Sequence, residues 1–410
     1  MQITLPKISL RNLLILVIVI LIAASTAIII KRRAEANQPV FSPRDMIESL
    51  WHRYKGENLE PESLRALDKE QNFITTSEGQ SYTLLRAVWV NDRETFDTAW
   101  QWTKDNLQHS NDSLFAWKFG QRKNGTYGIL TQEGGNNSAT DADVDIALAL
   151  LFASERWNDD TYFGDAMTII NDIWDKEVVV INGRPFLAAN DLEKSDKKKK
   201  TIIVNPSYLA PYAYRIFEEV DPRHDWMGLV DSSYDLIEDN MVLPLDTDTS
   251  AGIPSDWITV DKKTGKIAAI TGTTTLKTNF SYDALRLPWR LALDAKWFNE
   301  PRATKLLQDM AFFTEEWHSR KRVYANYTHD GQIAEWSETP AMYGGLIGYF
   351  MITDPEIAKE VYYKKLESLY NVDTFNWTRE LGYYDKNWAW FGLALYNDLL
   401  PQLYPLPKTN

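Results

Sequence analysis

The chain has 410 residues, 44% of them hydrophobic and 25% charged, enough for one large buried core or two to three ordinary domains. A net charge of −13 argues against a nucleic-acid binder, whose surface is basic. With no cysteine, disulfides, Cys-ligated zinc and thiol nucleophiles are excluded.

Residues 1–11 form a short N-terminal tail. Asn12 to Ile30 is one apolar run, NLLILVIVILIAASTAIII, bounded by Arg11 and by Lys31-Arg32-Arg33. At about 1.5 Å per residue it nearly spans a hydrocarbon core of about 30 Å, so it reads as a single transmembrane anchor. A cleaved signal peptide is the competing reading, with Lys7 and Arg11 as its basic region and Ser25-Thr26-Ala27 as the cleavage site. The run continues through Ile28, Ile29 and Ile30, which favours the anchor. The flanking positive charges slightly oppose export by the positive-inside rule. An extracytoplasmic domain is expected only from the chemistry below. Residues 31–41, with Gln38-Pro39, read as a linker, and 42–410 as one folded domain.

Ser42-Pro43 is an N-cap and first helical residue before DMIESLWHRY. Helical periodicity follows at about 79–90, 93–107, 141–156, 160–176, 206–218, 224–240, 282–297, 300–317, 338–351, 354–370 and 386–398. About twelve helices in pairs suggest six hairpins closed into a ring. One β insertion is expected at Val178 to Leu187, where Asn182-Gly183 is a strong hairpin signal. Thr201 to Pro206 is expected to pair nearby. The loop from Val242 to Thr278 is long enough to be functional.

Phosphate-binding glycine loops, G-x-G-x-x-G and H-E-x-x-H are all absent. The five histidines (His52, His109, His224, His318 and His329) are scattered, so no metal and no cofactor is expected. What remains is carboxylate chemistry. Asp141, Asp143 and Asp145 open the run ATDADVDIALALLFASERW, more acid than a helix start needs. Closely spaced carboxylates at a helix mouth shift each other's pKa values. Glu78, in SEGQSY, reads either as a first-turn residue or as a functional acid. Gly79 after it suits close backbone approach. Asp283, in YDALRLPWR, reads either as an N-cap with Arg286 as its i+3 partner or as a cleft residue among aromatic and basic side chains. Sixteen Trp and twenty Tyr supply flat apolar faces of the kind sugar rings stack on.

SEGQSY at 77–82, the run at 139–157 and YDALRLPWR at 282–290 together resemble glycoside hydrolase family 8, the bacterial endoglucanases and their relatives. NPSYLAPYAYRIF at 205–217 and GIPSDW at 252–257 resemble it too, so the likeness spans roughly residues 70 to 400. The resemblance implies an all-α (α/α)6 barrel and inverting hydrolysis of β-1,4-linked glycans. It implies Glu78 as general acid, Asp283 as general base and Asp141 as the holder of the distorted sugar. Tyr208 and Arg286 would position the water and the base, and Tyr282 and Trp289 would shape the cleft. Asp143 and Asp145 are expected to be structural. Thr83 stands where the family often has Gly, which bears on subsite detail. Trp117 and Tyr127 are expected platforms for the sugar chain, with Trp157, Trp174 and Trp257 as further candidates.

The expectation is a membrane-tethered endo-β-1,4-glucanase whose partners are a β-linked polysaccharide and the membrane, with the trimming of an exopolysaccharide as a role the anchor suggests. Alternatives are a xylanase, lichenase or chitosanase, or a non-catalytic glycan-binding protein. Oligomeric state is left open.

Overall fold

Six helices are buried along most of their length, and they alternate along the chain with helices that pack on their outer side. The computed structural model describes residues 41–272 and 275–406; the expected anchor over 12–30 lies outside them. No helix among the described residues is long and apolar enough to cross a membrane. Residues 44–410 form one unit.

The buried six are Ser77–Val90, Thr140–Trp157, Pro211–Val220, Arg286–Phe298, Pro340–Thr353 and Tyr383–Tyr396. Thr140–Trp157 is buried without a break from Thr140 to Ser154. Its neighbour Asp160–Lys176 buries only Tyr162, Ala166, Ile169, Ile170 and Ile173, one stripe of an amphipathic helix. The inner helices pack in chain order, each on the next. The ring closes where Tyr82 meets Trp388 and Phe391 edge-on and Arg86 donates to the Lys386 carbonyl. Trp89, Trp289, Trp388 and Phe391 interlock inside it.

Local signals set the helix ends. Pro211, Pro301, Pro340 and Pro355 open helices, where a missing N–H is harmless. Asn91, Asn158 and Asn299 end helices at φ of 64°, 49° and 51°, a left-handed conformation that asparagine tolerates. Three expected helices depart from one continuous α-helix. The run at 354–370 is α-helical over Pro355–Val361, then a π turn at Tyr362–Leu366 and a 3-10 turn at Glu367–Leu369 before the strand Tyr370–Asn371. The other two are divided. The run at 206–218 is a 3-10 turn, Pro206–Tyr208, then a helix from Pro211, because proline keeps Ala210 out of helical geometry. The run at 300–317 is Pro301–Asp309 followed by Phe312–Arg320. The helix expected from 282 starts at Arg286, leaving Asp283 in the preceding turn.

The hairpin Val178–Ile181/Arg184–Leu187 forms as expected, with Asn182 and Gly183 both at positive φ. Thr201–Val204 does not pair with it. It pairs antiparallel with Ile258–Asp261, which pairs with Ile267–Ala269. Val204 opposite Ile258 brings Trp257 beside the turn that carries Tyr208. More β structure is present than the one expected insertion. Thr75–Thr76, Lys118–Gln121 and Tyr127–Ile129 form a further sheet, whose strands are too short to leave a period-2 pattern.

Candidate active site

One guanidinium organises the site. Arg286, only 2% exposed, starts the fourth inner helix and faces three carboxyls. Its Nη1 donates to Glu78 Oε2 at 2.6 Å and to Asp141 Oδ2 at 2.9 Å. Its Nη2 donates to Asp283 Oδ1 at 2.5 Å, and its Nε to Ser207 Oγ at 3.1 Å. Because both lie on one planar fork, the nearest oxygens of Glu78 and Asp283 are at most about 7.5 Å apart. Residues some two hundred positions apart in sequence thus meet at one mouth of the ring.

Glu78 sits in the first turn of the first inner helix, capped by the Thr76 hydroxyl, which accepts from Gly79 N–H at 3.0 Å. Ser77 N–H donates to the Trp117 carbonyl at 3.1 Å and fixes the approach of that turn. The Tyr383 hydroxyl occupies the space a Cβ on Gly79 would need, so any larger residue there would have to displace the Tyr383 side chain. Burial pushes the Glu78 carboxyl up to about 7, against the attraction of Arg286 and with added repulsion from Asp141 and Asp283.

Asp141 opens the second inner helix. Burial raises its pKa, opposed by Arg286 and Arg290. Its Oδ1 is buried and has no hydrogen-bond partner in the protein. Asp283 is the most open of the three, with its side chain 31% exposed. Trp257 Nε1 donates to its Oδ2 at 2.9 Å. The Asp283 turn is pinned by Asp256, whose Oδ1 accepts from Ser281 N–H at 3.0 Å and Ala284 N–H at 2.7 Å. Tyr208 lies under the Arg286 guanidinium, 5.1 Å from it, and meets Trp257 edge-on. Burial, then Asp141 and Asp283, hold its hydroxyl well above the usual range, so it stays a proton donor.

The sequence of residues 32–383 matches the family model of glycosyl hydrolases family 8. The chain belongs to this family. It is 29% identical to Endoglucanase A of Acetivibrio thermocellus over 77% of this chain and 63% of that one. It is 31% identical to a probable endoglucanase of Novacetimonas hansenii over 60% of this chain and 66% of that one. The chain thus spans just under two thirds of the length of either relative. An endo-1,4-D-glucanase structure from Vibrio fischeri ES114 superposes with a TM-score of 0.69 over 85% of this chain and 94% of that one. At 24% identity that likeness speaks for the fold alone.

Glu78, Asp141, Asp283, Arg286 and Tyr208 are thus together. Tyr282 adjoins them, 40% exposed, edge-on to Tyr384, whose hydroxyl donates to the Tyr282 carbonyl. Trp289, expected to shape the cleft, is instead 3% exposed among Trp89, Trp388 and Phe391 inside the ring. Three residues into an inner helix, it faces neighbouring helices rather than the mouth. Trp117 is half-buried beside the Glu78 turn, its Nε1 donating to the Gly134 carbonyl at 2.8 Å. Tyr127 is 53% exposed on the outer strand of the sheet that leads into the Glu78 turn, stacked on Phe119 and under Arg65. Trp157 lies at the opposite end of the helix that Asp141 opens, and Trp174 stacks on His224 on an outer helix. Asp145 is held by both terminal nitrogens of Arg290, at 2.9 and 2.7 Å. Sequence reasoning missed Ser207, Asp256 and Tyr384. The first two stand inside NPSY and GIPSDW and were within reach. No motif marked Tyr384.

Proposed function

We propose that the chain is an inverting endo-β-1,4-glucanase. The observation that carries this is the three-carboxyl cluster on Arg286, in which Glu78 titrates near 7 while Asp283 stays open and doubly hydrogen-bonded. Glu78, protonated near neutral pH, gives its proton to the glycosidic oxygen as the C1–O bond breaks. Asp283 takes a proton from a water whose oxygen bonds to C1 from the opposite face. Inversion needs carboxyls about 6.5–9.5 Å apart, to leave room for that water, and the upper limit set by Arg286 is compatible with this. Tyr208 and Arg286 orient water and base. Asp141, with one oxygen unpartnered, accepts from a hydroxyl of the sugar at the cleavage point. Arg286 holds the unliganded cluster together and stays charged throughout, because its pKa is well above the usual value.

The polymer is proposed as β-1,4-glucan. Reducing-sugar release by residues 34–410 on carboxymethylcellulose, lichenan, xylan and chitosan tests it, with Glu78→Gln and Asp283→Asn as controls. Activity on glucan that both substitutions abolish supports the reading. Activity surviving both sinks the residue assignment, and a preference for another polymer sinks the glucan assignment.

We also propose that Asn12 to Ile30 tethers the hydrolase to a membrane with residues 42–410 outside the cytoplasm. The length and apolarity of that run support it. Protection of the domain from protease in intact cells would overturn it.

A further inference from the structure

Behind Asp141 two carboxyls face one another without a cation. Asp143 and Glu177 are both 0% exposed. Asp143 Oδ1 accepts from Phe115 N–H at 3.0 Å, and Glu177 Oε1 accepts from Ser138 Oγ–H at 2.5 Å. Their other oxygens, Oδ2 and Oε2, are buried with no donor to accept from. The two side chains lie within hydrogen-bonding reach of each other. Nearby arginines are committed elsewhere: Arg286 to Asp141 and Arg290 to Asp145. Asp141 and Asp191 add negative charge around the pair. Lys194, on the adjoining short helix Asp191–Ser195, donates to the Trp174 carbonyl at 2.9 Å.

Two buried carboxyls within hydrogen-bonding reach, each with an oxygen that has no donor, cannot both stay ionised without a proton between them. We propose that Asp143 and Glu177 share a proton across neutral pH, and that this shared proton clamps the mouth of the Asp141 helix to the segment that seats Glu78. The connections run both ways from the pair. Phe115, held by Asp143, lies two residues before Trp117, whose carbonyl takes the Ser77 N–H beside Glu78. Ser138, held by Glu177, also donates its N–H to Asp191 Oδ1 at 3.0 Å, and Thr140 Oγ1 donates to the Ala188 carbonyl at 2.5 Å. Asp141 follows directly. Asp143 and Glu177 are therefore positioning residues for Asp141 and Glu78, a role that rests on the function proposed above. Burial first, then the mutual repulsion, pushes Asp143 well above the carboxylate range, and burial pushes Glu177 up to about 8.

Asp143→Asn and Glu177→Gln each replace the shared proton by an amide N–H that cannot titrate. The native pair keeps a proton that the unfolded chain releases, so the pair's contribution to stability falls as pH rises through that window. Melting temperatures of the full chain are measured at intervals from about pH 5 to about pH 9. The expected result is that both amide variants gain on the wild type as pH rises. Curves that run parallel overturn the shared proton, as does failure of both amide variants to fold. Turnover at one mildly acidic pH tests the positioning. Asp143→Ala is expected to lose at least about tenfold in kcat, and Asp143→Asn to recover to within about threefold of wild type. Equal kcat in the two variants overturns the positioning role. Absence of hydrolysis in the wild type would sink the proposed function, while the melting curves would still decide the proton.

Discussion

Glu78 and Asp283 differ less in chemistry than in surroundings. Burial at a helix start keeps Glu78 protonated near 7, whereas Asp283 meets solvent and two donors, Arg286 and Trp257. Glu78→Gln is expected to lower kcat by about 10²- to 10⁴-fold, the usual worth of a general acid. As the proposed general acid, Glu78 would act only when protonated, so kcat is expected to fall as pH rises above about 7, and a pH–rate profile reads this directly. Trp257→Phe keeps the ring edge on Tyr208 but removes the N–H on Asp283 Oδ2. We expect kcat to drop about tenfold, equivalent to about 1.4 kcal/mol, with the melting temperature nearly unchanged. The motifs exposed Glu78, Asp141 and Asp283, because acids beside helix starts are legible in one dimension. They could not show that a single arginine touches all three, since that depends on helices distant in sequence meeting at one mouth.

At the scale of elements, the ring depends on close approach of its inner helices. Gly344 and Gly345 on the fifth inner helix lie against the Trp388 and Leu285 carbonyls of the two adjoining segments. A Cβ at Gly344 would collide with the Trp388 carbonyl, which is backbone and cannot rotate away. Gly344→Ala is expected to destabilise the fold by about 1–3 kcal/mol or more, measured by denaturant unfolding. The loop elements hold Asp283. Asp256 accepts from both Ser281 N–H and Ala284 N–H, so Asp256→Ala frees the Asp283 turn at a cost of about 1–3 kcal/mol and should lower kcat as well. Helix periodicity was readable here, as the run at 160–176 shows. The pairing of Thr201–Val204 with Ile258–Asp261 was not, because two short strands more than fifty residues apart carry no register information.

Over the whole molecule, buried carboxyls of raised pKa set the pH dependence of stability. Burial lifts Glu78 and Asp256 to about 7 and Glu177 to about 8. The native state then holds protons that the unfolded state releases, so these groups favour folding most at low pH and lose that contribution as pH rises toward 7–8. Asp92 and Asp221 act the other way: burial raises them, but their several hydrogen-bonded partners together outweigh it and hold their pKa values low, and their contribution fades as pH falls below the usual carboxylate range. The melting temperature is therefore expected to peak on the acid side of neutrality, near about pH 5, in a thermal series from pH 3 to 9. A maximum at alkaline pH would contradict these protonation states.

The sequence by itself determined the helical class, the approximate positions of most helices and the family, because each of these is written locally: apolar stripes, capping residues and contiguous motifs. Tertiary structure alone decided that Trp289 is core, that Trp257 reaches Asp283, and that Arg286 joins Glu78, Asp141 and Asp283. It also decided that Asp143 and Glu177 confront each other without a cation. The physical reason is common to all four. Burial, and the partner a charge meets there, depend on which helix faces which, and that follows from closing the ring and not from any local run of residues.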